Sequence, residues 1–95
     1  MSKYKLSKSA KEDLIRIHHY GVKKFGVKQA DKYFNSFFDN FEIIAERPLS
    51  FEAVDFIKPG YRRCVCGVDS IYFKNDGKTV EIMAIIGRQD LNQLH

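Results

Sequence analysis

The sequence has no run of 18 apolar residues, only two cysteines, and no internal repeat or low-complexity tract. A membrane-spanning helix needs about 20 predominantly apolar residues, so the first absence argues against a membrane protein. The composition, with 44% hydrophobic and 29% charged residues, is typical of a folded soluble protein. We expect one domain over residues 1–95. We also expect a cytoplasmic location, because the first residues lack the apolar segment of a signal peptide.

Signatures of catalysis and of metal binding are also missing. The sequence contains no phosphate-binding glycine loop, no nucleophile elbow and no metal-ligand pattern. His18 and His19 are adjacent on a predicted helix, so their side chains point about 100° apart and cannot both face one metal or substrate. Cys64 and Cys66 lie about 6.6 Å apart if extended, at the far limit for a disulfide. We therefore predict reduced thiols, no cofactor and no metal.

Positive charge is concentrated near the start of the chain. Residues 1–32 contain nine Lys/Arg and three Asp/Glu, a net charge of +6. Residues 33–57 contain one and five (−4), and residues 58–95 contain six and four (+2). The distribution suggests attraction to an acidic partner, either a protein or a nucleic acid, but it also fits a solvated lysine-rich helix face.

The first helix is predicted after a short strand at residues 4–6. Ser7 and Ser9 are both candidate N-caps, and Glu12 completes a capping-box pattern with Ser9. Gly21 suits close packing against another helix, and Gly26 ends the segment. Apolar residues recur at helical spacing: Ala10, Leu14, Ile17, Gly21 and Phe25.

The second helix is predicted from about Val27 to Glu46, with Pro48 closing it. Its apolar residues share one face: Ala30, Tyr33, Phe34, Phe37, Phe38, Phe41, Ile44 and Ala45. We interpret this aromatic stripe as core and not as a ligand site. Only a few residues around Gly26 separate the two helices, so an antiparallel hairpin is expected.

After Pro48 the hydrophobic period becomes that of strands. Extended segments are predicted at residues 54–57, 61–66, 70–74 and 79–86, and the last is central because nearly all its residues are apolar. Turns are predicted at Lys58-Pro59-Gly60 and at Asn75-Asp76-Gly77-Lys78. The order of elements predicts an α+β fold in which a helical hairpin covers one face of a mainly antiparallel sheet.

Arginines stand at two predicted strand ends. Two adjacent ones follow Gly60, and their side chains should point to opposite faces of a strand. A guanidinium on the core side needs a partner or a cleft, because an unpaired buried charge is costly. We predict five partner-contact residues at these ends: Arg62, Arg63, Arg88, Gln89 and Asp90. The alternative for Asp90 is that it pairs with one of the arginines and fixes the C-terminal turn.

These motifs, in this order, resemble the ParE branch of the ParE/RelE superfamily of bacterial toxin–antitoxin toxins. The residues that resemble the family's opening strand, first helix and helix junction are Tyr4, Leu6, Ala10, Asp13, Leu14, Ile17, Tyr20, Phe25, Gly26, Gln29 and Ala30. Those that resemble its strand pair and its ending are Gly60, Tyr61, Arg62, Arg63, Gly67, Ile71, Tyr72, Phe73 and residues 85–90. The resemblance thus extends over nearly the whole chain.

The resemblance implies a β-α-α-β-β-β fold with the helical hairpin against a twisted sheet. It implies a cognate ParD-like antitoxin, encoded alongside, whose C-terminal segment folds onto the toxin. It also implies DNA gyrase as the target, poisoned by binding, so that the protein is not an enzyme. The five contact residues would then touch the target or the antitoxin. Nucleic acid would be contacted only through antitoxin or gyrase, and no membrane would be involved.

Two alternatives remain open at this point. The RelE branch cleaves mRNA on the ribosome with lysine, arginine and a tyrosine near the C-terminus. This chain has no tyrosine after Tyr72, which leaves His95 as a substitute base. The other alternative is a relative that binds antitoxin without being toxic.

Overall fold

Helical spacing in the first half of the chain produces two long helices, and alternating spacing in the second half produces most of a sheet. The structure is a computed structural model that describes residues 3–87. In chain order the elements are β1 (Tyr4–Leu6), α1 (Lys8–Phe25), α2 (Val27–Glu46), a short 3-10 helix (Pro48–Ser50), β2 (Glu52–Ala53), β3 (Arg62–Cys66), β4 (Asp69–Asn75) and β5 (Val80–Gly87). The predicted α+β fold is confirmed.

The five strands form one mixed sheet in the order β1-β5-β4-β3-β2. The first strand runs parallel to β5, and the other neighbouring pairs are antiparallel. The predicted hairpin turn between β4 and β5 is present, since Asp76 Oδ1 accepts hydrogen bonds from the backbone N–H groups of Lys78 and Thr79.

Both helices cover the same face of the sheet. The main core lies between them and the sheet, and Phe37, Phe41 and Ile44 of α2 are completely buried there. Truncating a buried phenylalanine typically costs about 3–5 kcal/mol, so this stripe dominates the packing. The interpretation of the aromatic stripe as core is confirmed.

A second, smaller cluster lies on the opposite face of the sheet. Its buried members are Val54, Tyr61, Tyr72, Ala84 and Ile86. The loop of residues 54–61 contributes two of them and so covers part of the face that lacks helices.

The strand predicted at residues 54–57 is wrong. Residues 55–57 form a turn, and the strand of this region is β2, two residues earlier. The backbone carbonyl of Val54 accepts hydrogen bonds from the N–H groups of Ile57 and Lys58, which curls the chain away from the sheet. Val54 is buried while Phe56 is 79% exposed, so the spacing of these apolar residues reflects a turn.

The capping box predicted at Ser9 and Glu12 is also wrong. The N-cap of α1 is Ser7, whose side-chain oxygen accepts a hydrogen bond from the N–H of Ala10. The Ser7 hydroxyl in turn donates to the carbonyl of Met83 in β5, 2.8 Å away. This contact with the sheet selects the earlier of the two candidate caps.

Neither helix of the described residues combines the length and the apolarity needed to cross a bilayer.

Candidate functional site

The adjacent arginines at the start of β3 point to opposite faces of the sheet, as predicted. On the helix side, Arg62 Nη1 donates a hydrogen bond to the carbonyl oxygen of Phe51 at 2.6 Å. The ring of Phe51 packs edge-on against Phe73 of β4, with centroids 5.8 Å apart. Arg62 therefore fixes the chain that leads into β2.

On the other face, Arg63 pairs across the strand with Glu52. Its Nε donates to Glu52 Oε1 at 2.6 Å, and the two residues are register partners. The neighbouring Tyr72 hydroxyl and then the Glu52 carboxylate raise the pKa of Arg63, so the guanidinium is charged at every accessible pH.

Both arginines thus have partners inside the fold, and their role as contact residues stays a prediction. The Arg63 side chain is 22% exposed, which is the part that a partner can reach. Arg88, Gln89 and Asp90 lie outside the described residues, and so does His95.

A groove of about 800 Å³ opens on the helix side, at the opposite end of β3 and β4. It lies between the C-terminal half of α1, the start of α2 and the turn that joins β3 to β4. Its lining residues are Arg16, Ile17, Tyr20, Gly21, Phe25, Gln29, Ala30, Tyr33, Gly67, Val68, Asp69 and Gly87.

Close approach of the two helices shapes the floor of the groove. A Cβ added at Gly21 would lie 3.2 Å from the Cβ of Ala30, so a larger residue would push the helices apart. The predicted role of Gly21 in helix packing is confirmed.

Side chains of α1 hold the helix against the outer edge of β5, beyond the end of β1. Asp13 Oδ2 accepts a hydrogen bond from the N–H of Ile85 at 2.9 Å, and Arg16 Nη2 donates to the carbonyl of the same residue at 3.2 Å. Arg16 also lies 3.5 Å from the Asp13 carboxylate. These contacts satisfy the backbone N–H and carbonyl groups of Ile85, which would otherwise need another hydrogen-bond partner.

The opposite wall is fixed by Tyr33 of α2. Its hydroxyl lies 2.8 Å from the carbonyl oxygen of Cys66 and 2.9 Å from Asp69 Oδ2, and its single proton is shared between these two acceptors. Burial and the Asp69 carboxylate raise the pKa of Tyr33, so the hydroxyl stays protonated. Gly67 has φ +61°, and an added Cβ would lie 2.7 Å from the Tyr33 ring. A glycine is therefore required at this turn.

The rim of the groove exposes large apolar side chains. Tyr20, Phe25 and Val68 are 60%, 62% and 77% exposed. Phe25 was predicted to belong to the apolar stripe of α1, and that prediction is wrong. It lies in the last turn of the helix, and Gly26 reverses the chain before anything can cover it.

The two histidines and two cysteines of the described residues do not form a reactive centre. His18 Nε2 lies 2.7 Å from Asp31 Oδ1 and connects α1 to α2, whereas His19 is exposed. Cys64 and Cys66 are buried and reduced, as predicted, and burial raises the pKa of Cys64 to about 11. Within residues 3–87 no three His, Cys, Asp or Glu side chains are placed to hold a metal ion.

Sequence reasoning missed the groove. The apolar residues at its rim follow the ordinary spacing of a helix or a hairpin. Which of them stay exposed depends on where the sheet ends, and the spacing does not report that. The one available signal was Phe25 directly before the helix-ending Gly26.

Comparison with known proteins identifies the family to which this chain belongs. The chain matches a family model described as the ParE toxin of the type II toxin–antitoxin system parDE over residues 4–91. It is 35% identical over 92 residues to Toxin ParE1 of Caulobacter vibrioides, covering 97% of this chain and 94% of that protein. It is 28% identical over 86 residues to Toxin ParE1 of Mycobacterium tuberculosis, covering 90% and 88%.

The fold is similar to that of a chain in a solved structure of the chromosomal ParDE system from P. aeruginosa. The TM-score is 0.80 at 21% identity, and the match covers 92% of this chain and 96% of that one. From the family match and the relatives together, this chain belongs to the ParE toxin family of type II toxin–antitoxin systems.

Proposed function

We propose that this protein inhibits bacterial growth by binding DNA gyrase and is neutralised by a ParD-like antitoxin that occupies the groove. Membership of the ParE toxin family supports the first part. The single observation that carries the second is the groove itself, a preformed apolar cleft whose rim leaves Tyr20, Phe25 and Val68 exposed. Exposed apolar side chains around a cleft mark a binding surface.

The antitoxin segment that fits this groove is amphipathic and acidic. Its apolar side would cover the rim, and its carboxylates would meet Arg16 and the lysines of the two helices. A segment of this kind can be disordered when free and fold on the toxin, because the groove supplies the apolar surface that the segment lacks.

Action by binding, without catalysis, is the mechanism we favour. The pKa values of Tyr33 and Cys64 are both raised, so at neutral pH these two groups are further from ionising than an ordinary tyrosine or cysteine. We propose that gyrase meets the exposed part of Arg63, together with Arg62, Arg88, Gln89 and Asp90. The protein would act in the cytoplasm and reach nucleic acid only through gyrase or antitoxin.

Purified gyrase tests the target. With the toxin present, we expect loss of supercoiling and accumulation of cleaved DNA, and addition of the antitoxin should reverse both effects. Full supercoiling at micromolar toxin, with growth still inhibited in cells, would remove gyrase from the proposal. Cuts in mRNA on translating ribosomes would replace binding by nuclease action.

A further inference from the structure

Four lysines surround the junction of the two helices, beside the groove. We call Lys23, Lys24, Lys28 and Lys32 the lysine rim, and all four are exposed. Asp31 is the only carboxylate in residues 23–32. Its Oδ1 atom lies 2.7 Å from His18 Nε2. Four lysines outnumber this single carboxylate, so the rim is a concentrated positive patch.

The lysine rim is continuous with the groove. The Nζ atom of Lys24 lies 5.7 Å from the centroid of the Tyr20 ring, which lines the groove. On α2, Lys28 and Lys32 are four residues apart and share one helix face. They directly precede Gln29 and Tyr33, which line the groove and share the neighbouring face.

We propose that the lysine rim captures the acidic segment of the antitoxin, and that the groove then holds it. The rim sets the rate at which the complex forms, and the apolar groove sets how long it lasts. This inference rests on the proposed function and adds a division of labour to it.

The division follows from where the charges and the apolar groups lie. Exposed charges act over about 8 Å at physiological salt and attract an oppositely charged partner before contact. Charges at the rim of an interface mainly change the association rate and its salt dependence. Buried apolar contacts mainly change the dissociation rate. Here the lysines are exposed, while Ile17 and Ala30 at the floor of the groove are buried.

An acidic protein segment fits the surface better than a nucleic acid. Exposed Phe25 and Val27 lie between the lysines at the helix junction. The apolar surface continues from there into the groove, so a partner must offer apolar side chains along with its negative charge. A nucleic acid would satisfy the lysines and leave that groove empty.

Association kinetics of toxin and antitoxin test the proposal. The rim variant carries Lys24→Glu, Lys28→Glu and Lys32→Glu. Its matched control carries the same change of charge at Lys3, Lys5 and Lys78, which are exposed but lie on β1 or beside it and in the β4–β5 turn. A third variant, Tyr20→Ala, alters the groove. Circular dichroism of each verifies folding.

For the rim variant we expect association to slow about 10-fold or more at low salt, with dissociation nearly unchanged. The loss should shrink as salt is raised. The control variant should lose much less, and Tyr20→Ala should instead speed dissociation.

Unchanged association of the folded rim variant would overturn the proposal, and so would a loss confined to dissociation. Normal antitoxin capture combined with lost retention of duplex DNA would assign the rim to nucleic acid instead and likewise overturn it. If the wild-type toxin bound no antitoxin at all, the proposed function itself would fail.

Discussion

The two ends of β3 and β4 use charged and aromatic residues in opposite ways. At one end, Arg62 and Arg63 bond to Phe51 and Glu52 and so tie β2 to the sheet. At the other end, about 13 Å away along β4, Tyr20, Phe25 and Val68 stay uncovered around a groove. The first end is closed on itself, and the second is open to a partner.

The difference shows that a conspicuous motif can be engaged inside the fold while a less conspicuous stretch leaves an apolar surface uncovered. An arginine on a strand next to a buried cluster must find a partner nearby, and the chain supplies one to each. An apolar residue at a helix end has no such constraint and stays exposed where the sheet stops. The exposed groove therefore results from where the helices and strands end, whereas the paired arginines result from the Arg62-Arg63 motif itself.

The largest effect we expect is at the open end, from Gly67→Ala. A left-handed backbone and a Cβ 2.7 Å from the Tyr33 ring should together lower the free energy of unfolding by about 2–4 kcal/mol. Urea denaturation measures the loss. In a Tyr33→Ala background the added cost should fall to that of the backbone alone. An equal cost in both backgrounds would mean that the turn is not clamped by Tyr33.

At the closed end, Arg62→Ala should lower the free energy of unfolding by about 2–3 kcal/mol, because a carbonyl of Phe51 loses a charged donor. Arg16→Ala, at an arginine whose side chain is 54% exposed, should cost less than about 1 kcal/mol. Thermal or urea unfolding of both proteins gives the comparison. Similar losses of stability in both variants would contradict the expected difference between Arg62, which is held inside the fold, and the half-exposed Arg16.

Substitutions at the groove should weaken binding of the antitoxin. Val68→Asp places a carboxylate on the apolar rim and should weaken antitoxin binding by about 30-fold, the scale of an interface hot spot. Leu49→Asp is the matched control, since Leu49 is 71% exposed and lies on the 3-10 helix away from the groove. Isothermal titration of both variants decides between them. Equal loss for both would argue against the groove as the antitoxin site.

The smallest effect concerns Cys64, which lies between the two ends of β3. Its contribution to the free energy of unfolding does not change below pH 9. Its pKa is raised from 9.0 to about 11, so the unfolded thiol ionises before the folded one. The stability gained from the neutral thiol is complete below pH 9 and is lost as pH rises towards 11. Urea denaturation across this range should show the fall in wild type and a smaller one in Cys64→Ala. Identical profiles would mean that the thiol is not desolvated.

Much of the fold could be predicted from the sequence because local signals agreed with the tertiary structure. The bounds of α2 follow from an unbroken aromatic stripe that ends at Pro48, and the β4–β5 turn follows from Asn75-Asp76-Gly77. The strand predicted at residues 54–57 was wrong because Val54, Phe56 and Ile57 are spaced as in a strand, yet Phe56 is exposed and lies away from the core.

The site was harder to predict than the fold. The opposite faces of Arg62 and Arg63 follow from strand geometry. Their partners come from β2 and the residue before it, where no strand was predicted. The exposure of Phe25 and Val68 depends on how far the end of α1 and the β3–β4 turn extend beyond the rest of the sheet. Such boundaries are set by packing between distant segments, and spacing within one segment does not report them.

Hydrogen–deuterium exchange of the toxin with and without its antitoxin is the most direct test of the account. We expect new protection in residues 20–30 and 67–69, around the groove, and little change in residues 54–63. Protection confined to residues 54–63, with the groove amides exchanging as in the free toxin, would contradict the claim that the antitoxin occupies the open end.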